Sequence, residues 1–335
     1  MIAIELHYFL TTNGSDGHSD YTQKLMETYL DVITLDGLPR YLCDSLMREW
    51  SVLAKQNHLR LEFVHNCLDN SIEGLLLPDL KTAVINRPVY EPRTDLSYLL
   101  QSKARHRFDS YMESAFDAFG KAKKIHDEWE KLYAAETDYN ILNQVGEDII
   151  ASLLPKEEKA GGSLCDRFFG ATTKNGSKDY VDALSQNTER YFIKGRPGTG
   201  KSTFLKKLAQ AACDRGFFVE RYHCSLDPKS LDMVVIRELS LCFFDSTAPH
   251  EYFPSRAADH ILDFYALAVT KGTDEKLKKE LDDVSDRYYA CIRQAVKDMD
   301  AADAVCREWE MAYLPHIDTQ QVTKLRNNVL ARLLP

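Results

Sequence analysis

An α/β fold made twice over is what this chain of 335 residues predicts, and three observations carry it. The run Gly195-Arg-Pro-Gly-Thr-Gly-Lys-Ser-Thr203 stands between an apolar stretch, Tyr191-Phe-Ile193, and a helical pattern, Phe204-Leu-Lys-Lys-Leu-Ala209. Near-continuous apolar runs at about 217–223 and 239–245 read as strands covered on both faces, as in a parallel sheet. Sequence markers recur at fixed shifts, so the unit is present twice.

The repeat is clearest late in each copy. Asp127-Glu-Trp-Glu-Lys-Leu-Tyr133 matches Arg307-Glu-Trp-Glu-Met-Ala-Tyr313, and Ala151-Ser-Leu-Leu-Pro155 matches Ala331-Arg-Leu-Leu-Pro335, both at a shift of 180. Earlier, Ser71-Ile-Glu-Gly-Leu-Leu-Leu77 faces Ser230-Leu-Asp-Met-Val-Val-Ile236 at 159, so the second copy is about 21 residues longer, between Pro249 and Arg287. These matches divide the chain into residues 1–155, a linker at 156–166 whose charges and glycines suit a surface tether, and residues 167–335. Each copy is expected to form its own small, mostly parallel sheet with a long helical segment at its C-terminal end.

Taken in order, the second copy reads as strands at about 190–195, 217–223 and 239–245, with none convincing beyond Asp245. The helix after the glycine-rich run places Phe204, Leu205, Leu208, Ala209 and Ala212 on one face. From Thr273 to Leu314 there is neither Gly nor Pro, and apolar residues recur at three- and four-residue steps, which predicts one long helix or a broken pair. The first copy repeats this at roughly 105–135, and the Trp129 and Trp309 stripes are read as packing surfaces.

Residues 195–203 match G-x-x-x-x-G-K-[ST], the phosphate-binding loop. Gly195, Gly198 and Gly200 permit backbone conformations in which successive N–H groups turn inward as an anion cradle, stiffened by Pro197 and flanked by Arg196, Thr199 and Thr203. Lys201 is expected to reach the terminal phosphates of ATP and Ser202 to hold Mg²⁺, over the positive end of the following helix. A carboxylate from a second strand end must share the metal, and Asp245, closing Leu239-Ser-Leu-Cys-Phe-Phe-Asp245, fits that place. Asp227 and Asp232 are candidates for orienting an attacking water, and Thr247 and His250 for contacting the γ-phosphate. His223 has a counterpart in His65, which favours a structural role.

Carried back 158 positions without gaps, the loop falls on Gly37-Leu-Pro-Arg-Tyr-Leu-Cys-Asp-Ser45. There Cys43 replaces the lysine, Asp44 the serine and Asn86 the metal carboxylate, so the first copy is expected not to bind nucleotide. The segment 12–19, which loosely mimics the motif, is read as a polar surface loop, and Arg40 or Arg87 could face the working site if the copies pack as an internal pseudo-dimer.

A net charge of -9 argues weakly against a broad nucleic-acid footprint. Eight cysteines without a C-x-x-C pair indicate neither a zinc site nor a disulfide framework. No basic, apolar leader and no membrane-length apolar run is evident, which predicts a cytoplasmic protein with no membrane partner.

The loop together with Tyr222-His-Cys224, Ser230-Leu-Asp232 and Asp245-Ser-Thr-Ala-Pro-His-Glu-Tyr-Phe-Pro-Ser255 resembles a poorly characterised bacterial family of tandem P-loop proteins labelled ATPase or nucleotide-kinase-like. The resemblance implies the P-loop NTPase fold and ATP binding. The family commonly carries two working loops, from which Gly37–Ser45 departs. The expectation is Mg²⁺-dependent ATP hydrolysis at the second copy, with catalytic roles for Lys201 and Asp245. A kinase would need an arginine-bearing lid within 246–275, where Arg256 is the single arginine. A nucleotide-stabilised interaction module with negligible turnover is the third reading.

Overall fold

The computed structural model describes residues 5–35, 37–86, 95–156 and 160–333, with backbone alone at 95–102. Arg87, the closing Pro335 of the repeat and the 157–159 part of the expected linker lie outside the described residues.

The first half runs β1 (Glu5–Phe9), the hairpin β2 (Thr11–Gly14) and β3 (Gly17–Asp20), α1 (Thr22–Met26), β4 (Asp31–Thr34) and α2 (Arg40–Gln56). It continues through β5 (Leu61–His65), β6 (Ile72–Leu77) and β7 (Thr82–Ile85) to the long α3 (Asp95–Ala134) and α4 (Tyr139–Leu153). The second half repeats the succession: β8 (Ser163–Phe168), the hairpin β9 (Gly170–Thr173) and β10 (Gly176–Asp179), α5 (Val181–Leu184), β11 (Glu189–Lys194) and α6 (Lys201–Asp214). It then forms β12 (Phe218–His223), β13 (Leu231–Ile236), β14 (Leu241–Asp245), β15 (Asp259–Asp263), α7 (Phe264–Ala268), α8 (Thr273–Lys276), α9 (Lys278–Tyr313) and α10 (Thr319–Leu333). The extra residues of the second half are thus β15, α7 and α8, inside the interval the shifts marked.

The molecule is α/β, and eleven of its described strands form one large mixed sheet in place of the two small ones expected, the β2–β3 and β9–β10 hairpins standing apart as two-stranded sheets. The order is β15-β11-β14-β13-β12-β8-β1-β5-β6-β7-β4. Within each half the strands of this sheet all run one way except β6 and β13, which pair antiparallel with both neighbours. The halves join where β1 and β8 touch antiparallel, Phe9 opposite Phe168.

Other expectations need correction. Ser163–Phe168 is a strand, so the linker at 156–166 runs into the sheet. A strand does follow Asp245: β15 lies parallel at the sheet's edge, its Arg190–Asp259 ion pair at 2.6 Å taking the place of an apolar pattern. Residues 12–19 belong to the β2–β3 hairpin with Thr12 and Asn13 buried, because Thr12 donates to the Ser225 carbonyl of the other half. Trp129 is half-buried and packs edge-on against Tyr288 of the facing helix, as a packing surface should, whereas Trp309 stacks on Tyr313 of its own helix; the buried contact runs through Ala115, Phe119, Ala122, Ala295, Met299 and Ala302.

Those helices lie antiparallel. Arg107 meets Glu308 at 2.8 Å, Ser114 donates to Asp298 at 2.7 Å and Arg287 meets Glu128 at 2.8 Å, so one number falls as the other rises. Each long helix therefore carries its own half's last helix across to the other half. Leu142 of α4 and Leu154, which caps that helix, are buried with Phe204, Leu205 and Leu208 of α6, and Val329 and Leu333 of α10 are buried with Met47 and Trp50 of α2. Each such side chain contributes about 1.5–3 kcal/mol through removal from water. The halves thus exchange helices, and neither core is complete without the other.

Candidate functional site

The loop between β11 and α6 has the backbone its glycines forecast. Gly198 and Gly200 have φ of +81° and +78°, the left-handed region that side chains disfavour, and Gly200 caps α6. A Cβ at Gly195 would come within 2.5 Å of Thr199 Oγ1. That hydroxyl closes the turn, donating to the Arg196 carbonyl at 2.7 Å and accepting from the Arg196 N–H at 3.2 Å. Lys201 is buried at the start of α6, with Nζ donating to the Arg196 carbonyl at 2.8 Å and standing 3.5 Å from Asp245 Oδ2. Pro197 is half-buried within the turn, and Thr203 points outward.

Asp245 reaches the loop because β14 pairs parallel with β11, Ile193 opposite Asp245, so both strands end at one edge. Thr247 donates to Asp245 Oδ1 at 2.6 Å and orients that carboxylate. One step beyond the Met233–Phe244 pair, Asp232 comes beside Asp245. Burial, and then the Asp245 carboxylate, push the Asp232 pKa up. Ser202 accepts the Leu231 N–H at 2.9 Å, leaving its own proton and a second lone pair.

The first half covers this loop. A Cβ on Gly198 would come within 2.3 Å of the Glu130 carbonyl oxygen, so the C-terminal end of α3 rests on the glycine itself. Tyr139, at the start of α4, donates to the Gly198 carbonyl at 2.6 Å. His126, Asp127 and Glu130 present ligand-type atoms within 4.8 Å of one another on the same stretch of α3. Burial lowers the His126 pKa, with Lys201 contributing, which places this group within electrostatic reach of the loop lysine. Sequence reasoning missed these residues, although a signal existed: at the repeat shift of 180, His126 and Asp127 face Cys306 and Arg307, while Glu130 keeps its counterpart Glu310.

The remaining candidates fall elsewhere. Asp227 accepts the Lys229 N–H at 3.1 Å and pairs with Lys123 at 3.4 Å, as a turn cap tied to α3, so it is not placed to orient a water. His223 is held between Asp166 at 3.0 Å and the Pro228 carbonyl at 2.6 Å, in a structural role. His250 Nδ1 is fixed 2.7 Å from Asp179. Arg196 is held by Asp274 at 2.9 Å and stacks over Tyr265, and Arg256 donates to the Ser185 carbonyl.

At the equivalent place in the first half the loop is gone. Gly37 keeps its positive φ, but Pro39 caps α2, so Arg40, Tyr41 and Leu42 form helix where the cradle would be. Arg40 does not face the loop at 195–203; it is buried among Asp69, Asp303 and Glu310 at 2.8, 2.9 and 3.0 Å. Asp44 accepts the Ile72 N–H at 2.7 Å as Ser202 accepts that of Leu231, which supports the ungapped match. The pair Asp232 and Asp245 becomes Glu73 and Asn86, with Asn86 N–H donating to the Glu73 carbonyl at 2.7 Å. Without a lysine, burial pushes Glu73 up to about 8 and keeps it protonated at neutral pH.

No helix among the described residues is long and apolar enough to cross a membrane. No family model, no curated protein and no solved structure matches the chain.

Proposed function

We propose that the second half is a P-loop NTPase unit that binds Mg-ATP and hydrolyses its γ-phosphate, and that the first half is its degenerate duplicate. The observation that carries this reading is the convergence of Lys201, Ser202, Asp245 and the glycine loop at one sheet edge, Lys201 Nζ lying 3.5 Å from Asp245. The fit is chemical as well as geometric. The loop's N–H groups and the α6 N-terminus suit phosphate oxygens, and Gly198 and Gly200 leave no Cβ in the way.

Lys201 would exchange the Arg196 carbonyl for phosphate oxygens and stabilise charge that develops as the terminal bond breaks. Ser202 and Asp245 would hold Mg²⁺, which when bound neutralises charge on the terminal phosphates. Asp232, beside Asp245 at the strand ends, is the carboxylate placed to orient the attacking water. Because Glu130 and Tyr139 of the first half rest on Gly198, phosphates entering the loop would displace the α3–α4 corner, which couples turnover to the long helices.

Phosphate release from 1 mM Mg-ATP, alone and with a panel of nucleotide acceptors, tests the reading. Lys201→Ala and Asp245→Asn should each lower release by about a hundredfold or more. ADP formed only with an acceptor would instead mark a kinase, and binding without turnover an interaction module.

A further inference from the structure

The first half has a cleft of about 1120 Å³ at the strand ends that carry Glu73 and Asn86, between the β2–β3 hairpin, α1 and α3. That is just above the roughly 300–1,000 Å³ of a small-molecule site. Asn86 lines it at 6% exposure, and its buried Oδ1 has no hydrogen-bond partner. Buried polar atoms are almost always paired, so an orphan at the floor of an open cleft calls for a ligand atom. Glu73, its strand neighbour, is also buried on the floor and is protonated at neutral pH. Glu73 already accepts the Asn66 amide at 2.7 Å and the Thr11 hydroxyl at 3.4 Å, so what the pair offers a ligand is the Asn86 Oδ1 as acceptor and the Glu73 carboxyl proton as donor, which matches the N–H and C=O of the amide-like edge of a heterocyclic base. Phe108 and Phe116 of α3 line the same cleft and supply flat apolar surface for such a ring.

The charges around the cleft oppose phosphate. Arg105 is held by Asp109 at 2.8 Å, and burial lowers the His18 pKa, while the Asp20 and Glu113 carboxyls also line the cleft. We propose that this cleft binds a nucleoside or free nucleobase, read at its base edge by Asn86 and Glu73, and that it discriminates against the corresponding nucleotides. The duplicate that lost the phosphate cradle would thus have kept a base pocket.

Titration calorimetry on the full chain with adenosine, guanosine, cytidine and uridine, each beside its 5′-monophosphate, tests this. At least one nucleoside should bind with a stoichiometry of one and at least tenfold tighter than its monophosphate. Asn86→Leu, of similar size, should weaken that binding tenfold or more. Phe116→Ala, half-exposed and away from the sheet, does the same if Asn86→Leu fails to fold. Lys201→Ala should leave it unchanged, which separates this cleft from the phosphate loop and lets either proposal fail alone. The inference is overturned if no nucleoside binds at millimolar concentration, if a monophosphate binds as tightly, if Lys201→Ala abolishes binding, or if the folded cleft variants bind as wild type does.

Discussion

Side by side, the two halves are an experiment in charge balance at single residues. Where Lys201 is present, two carboxylates sit together at the strand ends; where it is Cys43, one has become an amide and the other keeps its proton. Lys201→Ala should therefore leave Asp232 and Asp245 uncompensated and destabilise the fold, and adding Asp245→Asn should restore about 1 kcal/mol or more. Urea unfolding of the two variants checks this; a double variant less stable than the single would contradict it. Glu73 makes a second prediction. Its folded pKa of about 8 lies above the ordinary 4.5, so the unfolded chain gives up this proton first as pH rises. The stability it contributes is full below about pH 4.5 and is lost progressively up to about pH 8. Glu73→Gln should gain thermal stability over wild type as pH is raised from 5 to 8.5, and a constant difference across that range would refute the assignment.

At the scale of elements, what could be read in advance is what local residues decide. The loop, α6 and the paired long helices follow from glycines, capping and helical spacing within a dozen or so positions. β8 escaped notice because Asp166 and Arg167 break its apolar run, and both are satisfied only by distant partners: Asp166 by Lys24 and Arg221, Arg167 by Glu62. β15 is an edge strand with His260 and Ile261 exposed, so it lacks a buried pattern. β13 was visible as a repeat marker, yet its antiparallel direction depends on neighbours. The cover over the loop was hidden for the same reason, since Glu130 and Tyr139 lie about sixty residues from Gly198. Gly198→Ala should push α3 off the loop, and amide exchange should accelerate at about 126–142 while the β-sheet core stays protected; unchanged exchange there would argue against the contact. Leu142→Ala, which empties a site in the second half's core from a first-half helix, should cost about 2–5 kcal/mol.

For the whole molecule, the exchanged helices mean that sequence boundaries and cores do not coincide. Residues 160–333 expressed alone lack α4 and should be insoluble or unfolded, and co-expression with residues 1–156 should recover a complex; a stable, soluble second half would show that the exchange is dispensable. One sheet spanning both halves, with an antiparallel pair of long helices, joins the glycine loop of one half to the cleft of the other. The most direct test of the central claim is calorimetric titration of Mg-ATP into the full chain and into Lys201→Ala. Saturable uptake by the wild type with a stoichiometry of one, weakened at least tenfold in the variant, is the predicted result. No uptake at millimolar ATP, or equal uptake by both proteins, would contradict it.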